Sequence, residues 1–572
     1  MNLPSGHELA LTLRSLSLRQ RGLLFGLGGL LVIGLIGLLW QADRLASAEV
    51  ATQGGELTEG IIGTPRFINP LLAASDADRD LTALVYSGLL RIGENGAPEP
   101  DLAEKYEVST DGLTYTFSLR DDLSWHDGEP LTTDDVEWTI LKAQDPLLKS
   151  PRRGAWDGVR VEKVGPREIR FQLKQAYPQF LENATLGILP KHIWSQLDAE
   201  TFALNQFNVE PIGSGPYRVT AIKKNDLGIA ESYELSAFRH FALGRPKIDL
   251  LRFRFYRSEE ELVAAYRHGE IESLSAVSAE AAAKLAAEGA RILRAPLPRV
   301  FAVFFNQNRA PALASRDLRQ ALNLAINRNA LIDEVLKGYG TPAGGPLPPL
   351  FLNGKATATL ANLSAARELL EKAGWDWDEA KKSWTRENKK STETLALSIA
   401  TSDLPELRHS AELIKAAWEK LGIPTALKVY EIGDLDLNVI RPRQFETLFF
   451  GEILGRTPDL FSFWHSQQRL DPGLNVAQYT NAEVDKLLEK TRTLADAAAR
   501  QKNYGEIQAM IIADQPAAFV YAPDFLYLLP ERVRHAVLPP LNTPSDRLLA
   551  IHRWYINTDR VWKIFINQAK PI

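Results

Sequence analysis

The sequence predicts an α/β protein with more than one mixed sheet, preceded by a single N-terminal transmembrane helix. Three observations carry this reading. An uninterrupted apolar run lies close to the N-terminus. After it, strand-type alternation and helical spacing intermingle over roughly 500 residues, without internal repeats or low-complexity blocks. At 572 residues, 45% hydrophobic and 24% charged, the chain has material for two to four domains with substantial cores.

The apolar run is Gly22 to Trp40, 19 residues without a charge. As a helix it spans about 28 Å at 1.5 Å per residue, enough to cross a bilayer. Arg14, Arg19 and Arg21 precede it, and beyond it Arg44 is the only basic residue before Arg66. The positive-inside rule therefore keeps residues 1–21 cytoplasmic and places everything after Trp40 outside. Ala46-Ser47-Ala48 has the small-x-small pattern of a cleavage site, so a removable signal peptide is the alternative. Because the run exceeds the usual ~7–15 residues of a signal peptide, the expectation is an uncleaved anchor over 22–40. Residues 41–55 read as a short polar tether.

Further on, Tyr115, Phe117 and Leu119 alternate with Thr116, Ser118 and Arg120, the pattern of a half-buried strand. Arg167 to Leu173 and Lys247 to Tyr256 also read as strands. Leu318, Ala321, Leu322, Ala325 and Ile326 follow helical spacing, as do Leu413, Ile414, Ala417, Trp418 and Leu421. The second of these helices ends at Gly422, and Pro424 forbids its return. Glu483 to Leu494 and Ala497 to Asp514 are helical as well. Gly340 to Pro349, rich in Pro and Gly, reads as a loop.

The stretch Tyr115 to Ile140 holds seven carboxylates (Asp121, Asp122, Asp127, Glu129, Asp134, Asp135, Glu137) and His126. Acid–base machinery and a metal cage are conceivable, but local chemistry accounts for most of them. Asp127-Gly128-Glu129-Pro130 is turn-forming. Thr132-Thr133-Asp134-Asp135 opens a helix, with Thr133 the expected cap and carboxylates at the positive end of the dipole. One histidine is too few for a metal cage.

Composition excludes several classes. A net charge of −5 offers no basic field for nucleic acid. With no cysteine there are no disulfides, thiolate metal sites, cysteine nucleophiles or lipid-modified cysteine anchors. The nine histidines never cluster at ligand spacing, so no metal or other cofactor is expected. Neither a GxSxG nor a phosphate-binding glycine motif sits in the required strand–turn–helix context.

The order YTFSLR then WHDGEPLTTDDVEWTI resembles the extracellular solute-binding proteins of peptide/nickel-type ABC transporters, the dipeptide- and oligopeptide-binding family. Further segments follow in that family's order: Gly63 to Arg91, GSGPY at Gly213 to Tyr217, Phe304 to Pro349, and the YTNAEVDKLLEKTR helix with the one after it. The resemblance runs from about residue 56 to about residue 555. It implies a periplasmic-binding-protein-like type II fold, two lobes with an extra inserted domain. Domain I would comprise 56–92, 213–303 and 530–572, the insert 93–212, and domain III 304–529. The lobes would close on solute about crossovers near Phe304 and Leu529.

Ligand contacts in that family come from the loop after the first strand, the strand after the hinge and an extended segment of the third domain. By resemblance these are Phe67 and Asn69, Phe305 and Asn306, and the segment Phe449 to Trp464. Peptide binders commonly carry an Asp four residues before the proline of that segment, where it pairs with the peptide ammonium. Here Leu454 holds the position. Glu452 is the nearest replacement and Asp459 the next, Arg456 favours an acceptor group, and Trp464 offers an aromatic wall. The expected function is a membrane-tethered, monomeric solute-binding protein that delivers peptides to an ABC permease. The alternatives are a diverged receptor or sensor for another solute, such as an oligosaccharide, and an extracellular hydrolase, for which no nucleophile or carboxylate dyad stands out.

Overall fold

A computed structural model of the chain describes residues 15–176, 179–352, 360–388, 391–494 and 496–566. Most of the expected cytoplasmic segment and residues 567–572 of the expected domain I therefore lie outside the described residues. The chain forms two units, one of residues up to Gly55 together with those from Tyr555 onward, the other Glu56–Trp554.

The first unit begins with helix α1 (Leu18–Ala46), capped by Ser17 and Gln20 in a reciprocal box, and no side chain of this helix is buried. It is long and apolar enough to cross a membrane. The helix continues six residues past Trp40 and passes directly into strand β1 (Ser47–Ala51). The expected polar tether is thus mostly regular structure.

In the second unit the chain runs through β2 (Glu56–Ile62) and α2 (Asp76–Val85) into a four-stranded antiparallel sheet. Its strands are β3 (Ala103–Val108), β4 (Thr114–Leu119), β5 (Arg160–Lys163) and β6 (Glu168–Gln172), in the order β3-β4-β6-β5. Between β4 and β5 lies α3 (Thr133–Gln144). The alternation read in Tyr115, Phe117 and Leu119 puts all three in the core.

The acidic stretch is structural. Thr132, not Thr133, caps α3: its hydroxyl accepts from the Asp134 N–H at 3.2 Å, and Asp135 accepts from the Thr132 N–H at 2.9 Å. The Thr133 hydroxyl instead turns inward and donates to the Gly165 carbonyl at 2.8 Å. His126 joins this turn to GSGPY. Its Nδ1 accepts from the Gly213 N–H at 3.3 Å and its Nε2 lies 3.1 Å from the Gly215 carbonyl. Burial holds the imidazole at a pKa of about 4, below its ordinary value. Gly213 has to be glycine, because a Cβ there would collide with the Val85 carbonyl at the end of α2.

Among the described residues the main sheet has twelve strands. It takes in β7 (Tyr217–Lys224), β8 (Ala230–Ala237), β9 (Leu250–Tyr256), β10 (Ser273–Ser275), β11 (Ile292–Pro296) and β12 (Arg299–Phe305). After helix α4 (Arg316–Ala325) come β13 (Gly340–Pro342), a short strand inside the segment expected to be loop, and β14 (Leu397–Ser402). Helix α5 (Pro405–Leu421) ends, as its sequence requires, at Gly422 with φ of 94°. It leads to β15 (Thr425–Tyr430) and β16 (Thr447–Ile453), then to α6 (Ala482–Thr493), α7 (Ala497–Asp514) and β17 (Ala517–Leu528).

The sheet order is β15-β14-β16-β12-β17-β10-β2-β9-β8-β7, and β17 is the seam. Its first half pairs with β12 and β13, its second half with β11 and β10. The backbone therefore passes between sheet halves around Leu297–Pro298 and Pro523–Asp524. Both points lie upstream of the crossovers expected near Phe304 and Leu529, because sheet pairing changes within the long strand rather than at its end. Finally β18 (Thr558–Trp562) leaves the second unit and pairs antiparallel with β1, Ser47 opposite Trp562. Of the last segment of the expected domain I, residues 530–554 thus belong to the second unit and those from Tyr555 onward to the first.

Candidate ligand-binding cleft

Two cavities adjoin where β17 changes partners. One is about 640 Å³ and the other about 350 Å³, and both are lined by Ala73, Arg79, Arg152, Asn542 and Thr543. The larger is walled by Leu297, Phe301, Tyr339 and Ile453, with charged groups set among them. Apolar walls with a few convergent polar groups are the usual make-up of a small-molecule site.

Arg299, the first residue of β12, stands opposite Ile453 in register and lines this cavity. Its Nε is buried and meets no hydrogen-bond partner among the described residues. Burial depresses its guanidinium, while Asp76 and Glu406 act in the opposite direction. Glu406, in the first turn of α5, lies on the same cavity wall. Desolvation holds its carboxyl above the ordinary value, and a hydrogen bond from the Ala279 backbone opposes this. Arg152 lines both cavities; burial, then Arg79, depress its guanidinium against the pull of Asp546. Other charges here are already committed: Arg79 to Asp76 at 3.0 Å, and Asp524 to Arg294 at 2.5 Å.

Of the residues expected from sequence, Arg456 lines the smaller cavity. It pairs with Asp546 at 2.5 Å. Its neighbour Thr457 donates to Glu182, so the loop after β16 reaches both the 540–546 segment and the four-stranded-sheet region.

The other eight line neither cavity. Glu452 is 3% exposed and shares its strand face with Leu448 and Leu454, inside a core cluster with Val300 and Phe304. Its Oε2 accepts from Trp464 Nε1 at 3.3 Å, and its Oε1 has no partner among the described residues. Burial pushes its carboxyl up to about 8. This corrects the expectation that Glu452 meets a ligand amine: strand alternation turns Ile453 to the cavity and Glu452 away from it. Trp464 is fully buried beside Phe304 and Phe519 and is core rather than wall. Leu454 is buried too, its N–H donating to the Pro298 carbonyl at 2.9 Å.

Asn69 is buried and organises its own loop, bonded to Asn208 and to the Leu71 N–H. Phe67 is half-buried, its N–H held by Asp78 at 2.8 Å. Phe305 lies in the core, and Asn306 bonds the Arg443 carbonyl at 3.1 Å. Asp459 accepts from the Phe461 N–H and sits 3.6 Å from Arg492.

Sequence reasoning missed Arg299, Glu406 and Arg152. Arg299 did leave a signal, since it is the one charge opening the otherwise apolar run Val300 to Phe305. Among the described residues no group of three or more His, Asp or Glu is placed to hold a metal.

The family model described as bacterial extracellular solute-binding proteins, family 5 middle, matches residues 97–471. The oligopeptide-binding protein AppA of Bacillus subtilis is 28% identical over 521 residues, covering 89% of this chain and 93% of that protein. Its solved structure, in complex with a nonapeptide, superposes with a TM-score of 0.66 at 26% identity and covers 89% of this chain and 100% of that one. The substrate-binding protein CtaP of Listeria monocytogenes gives a TM-score of 0.74 at 28% identity over 88% of this chain and 100% of that one.

Proposed function

This chain belongs to the bacterial extracellular solute-binding proteins of family 5, and on that premise we propose that it captures peptides in the cleft and passes them to an ABC permease. The observation that carries the reading is one cavity holding groups of opposite charge among apolar walls, Arg299 with an open Nε and Glu406 with a desolvated carboxyl. A peptide zwitterion needs both signs, since a buried unpaired charge costs several kcal/mol. Arg299, with Arg152 nearby, takes the carboxylate, and Glu406 takes the ammonium. The relatives' bound nonapeptide and oligopeptide-binding name favour the same ligand class.

The lobes close about the crossings at 297–298 and 523–524, with residues 93–212 as an inserted domain. The Arg456–Asp546 and Thr457–Glu182 contacts are those a closed state would make. The N-terminal helix stays as an anchor: Ser47 and Ala48, which cleavage after Ala48 would remove, are paired with Trp562 and Val561.

Calorimetric titration with short peptides tests the site. Arg299→Gln is expected to weaken peptides with a free carboxylate at least tenfold, about 1.4 kcal/mol, and C-terminally amidated peptides much less. Glu406→Gln should do the same for free against N-acetylated amines. If blocked and free peptides bind alike and neither substitution matters, the solute is not a peptide held by its ends. The replacement of the usual acid by buried Leu454 would then favour a different solute class.

A further inference from the structure

The two-stranded sheet of β1 and β18 is poorly explained by the binding site, and it carries exposed aromatic groups. Trp562 is 51% exposed, and Ile564 and Phe565 just beyond it are 65% and 61% exposed. An isolated pair of strands is marginal in water without another surface to cover it. What lies next to this pair is the end of α1. Trp562 Nε1 donates to Asp43 at 2.8 Å. Arg560 donates to the Arg44 carbonyl at 3.1 Å and to Ser47 Oγ at 3.0 Å. Asp43 follows the last apolar residue, Trp40, by three positions, about 4.5 Å along the helix. Arg44 itself stacks over the Trp40 ring at 4.1 Å. Trp562 is therefore fixed within one turn of the end of the apolar run, the depth at which tryptophan and arginine gather at a bilayer interface.

We propose that residues 558–566 form a second membrane attachment. Trp562, Ile564 and Phe565 lie in the headgroup–acyl boundary of a phospholipid bilayer, and Lys563 and Arg44 lie at phosphate level. The inference rests on the reading that the helix is retained. The chain enters the binding unit from β1 and returns from it into β18, so both ends of that unit are tied to the membrane.

The absence of cysteine makes the test clean. Full-length protein with an N-terminal tag is placed in phosphatidylcholine/phosphatidylglycerol vesicles. An environment-sensitive fluorophore is attached at Phe565→Cys, at Ile564→Cys and, as control, at Leu227→Cys, which is 83% exposed on the binding unit. The expected result is blue-shifted emission, quenched by lipid-borne nitroxide, at 564 and 565 but not at 227. An Ala48→Cys/Val561→Cys pair should oxidise to a disulfide, since paired strands bring Cα atoms within bridging range. If the tag is retained but 564 and 565 emit like 227, this inference is overturned and the anchor stands. Loss of the tag overturns both.

Discussion

Glu59 and Glu452 are both carboxylates on interior strands of the same sheet, and the two are housed in opposite ways. Glu59, on β2, meets Arg547 Nε at 3.1 Å, Ser273 Oγ at 3.1 Å and the Tyr527 hydroxyl at 2.7 Å. Arg547 goes on to Asp80 at 2.8 and 2.6 Å and to the Pro544 carbonyl at 3.0 Å. Burial alone would depress that guanidinium, but Asp80 and then Glu59 outweigh it and hold it above the ordinary arginine value. This network ties β2, α2, β10, β17 and the 544–547 segment together. Glu452, on β16, has one indole N–H and, among the described residues, an oxygen without a partner. One region buries charge against charge, and the other buries an acid as a neutral group. A buried carboxylate is therefore no pointer to a ligand site until its partners are known.

The largest effect should come from removing the cation from the first region. Arg547→Met leaves Glu59 and Asp80 buried without it, and is expected to cost roughly 3–5 kcal/mol in denaturant unfolding. A loss below about 1 kcal/mol would show that the network is not the staple its geometry suggests.

The second region should respond to pH instead. The folded-state pKa of Glu452, about 8, lies above its ordinary 4.5. Its contribution to stability is thus fully present below about pH 4.5 and is lost as pH rises through 8. Glu452→Gln removes this dependence. Relative to the native chain, the variant should gain roughly 3 kcal/mol between pH 5 and pH 8. Parallel stability curves for the two proteins over that range would mean that Glu452 is not held neutral.

The same contrast explains what was legible in the sequence. Local signals were readable: the period-two run of β4, the Gly422 stop of α5, the apolar length of α1 and the turn chemistry around Asp127. The family order of motifs carried the architecture. Residues joined across hundreds of positions were not readable. Nothing near Ser47 names Trp562 as its partner, and nothing near Glu406 names Arg299. Glu452 was misplaced for a local reason, because in Leu448 to Leu454 alternation already sets it on the face of two leucines that pack in the core. Arg456, the one sequence-derived site residue at a cavity wall, lies past the end of that strand, where alternation no longer decides the side.

The smallest effect concerns a polar group that water can still reach. Thr132 caps α3 with its hydroxyl on the Asp134 N–H, and Asp135 returns the bond to the Thr132 N–H. Thr132→Ala frees one amide at a half-exposed helix end, where solvent replaces the lost partner. About 1 kcal/mol is therefore expected, against the several of Arg547→Met, where no water can enter. Thr132→Ser keeps the acceptor and should restore most of the loss. Thr133→Ala removes a fully buried side-chain hydroxyl together with its bond to the Gly165 carbonyl and should cost more than Thr132→Ala, because water does not reach the place of the Thr133 side chain. Denaturation midpoints of the three variants order the effects. If Thr132→Ala costs more than Thr133→Ala, solvent access does not set the cost of a lost partner at this helix end.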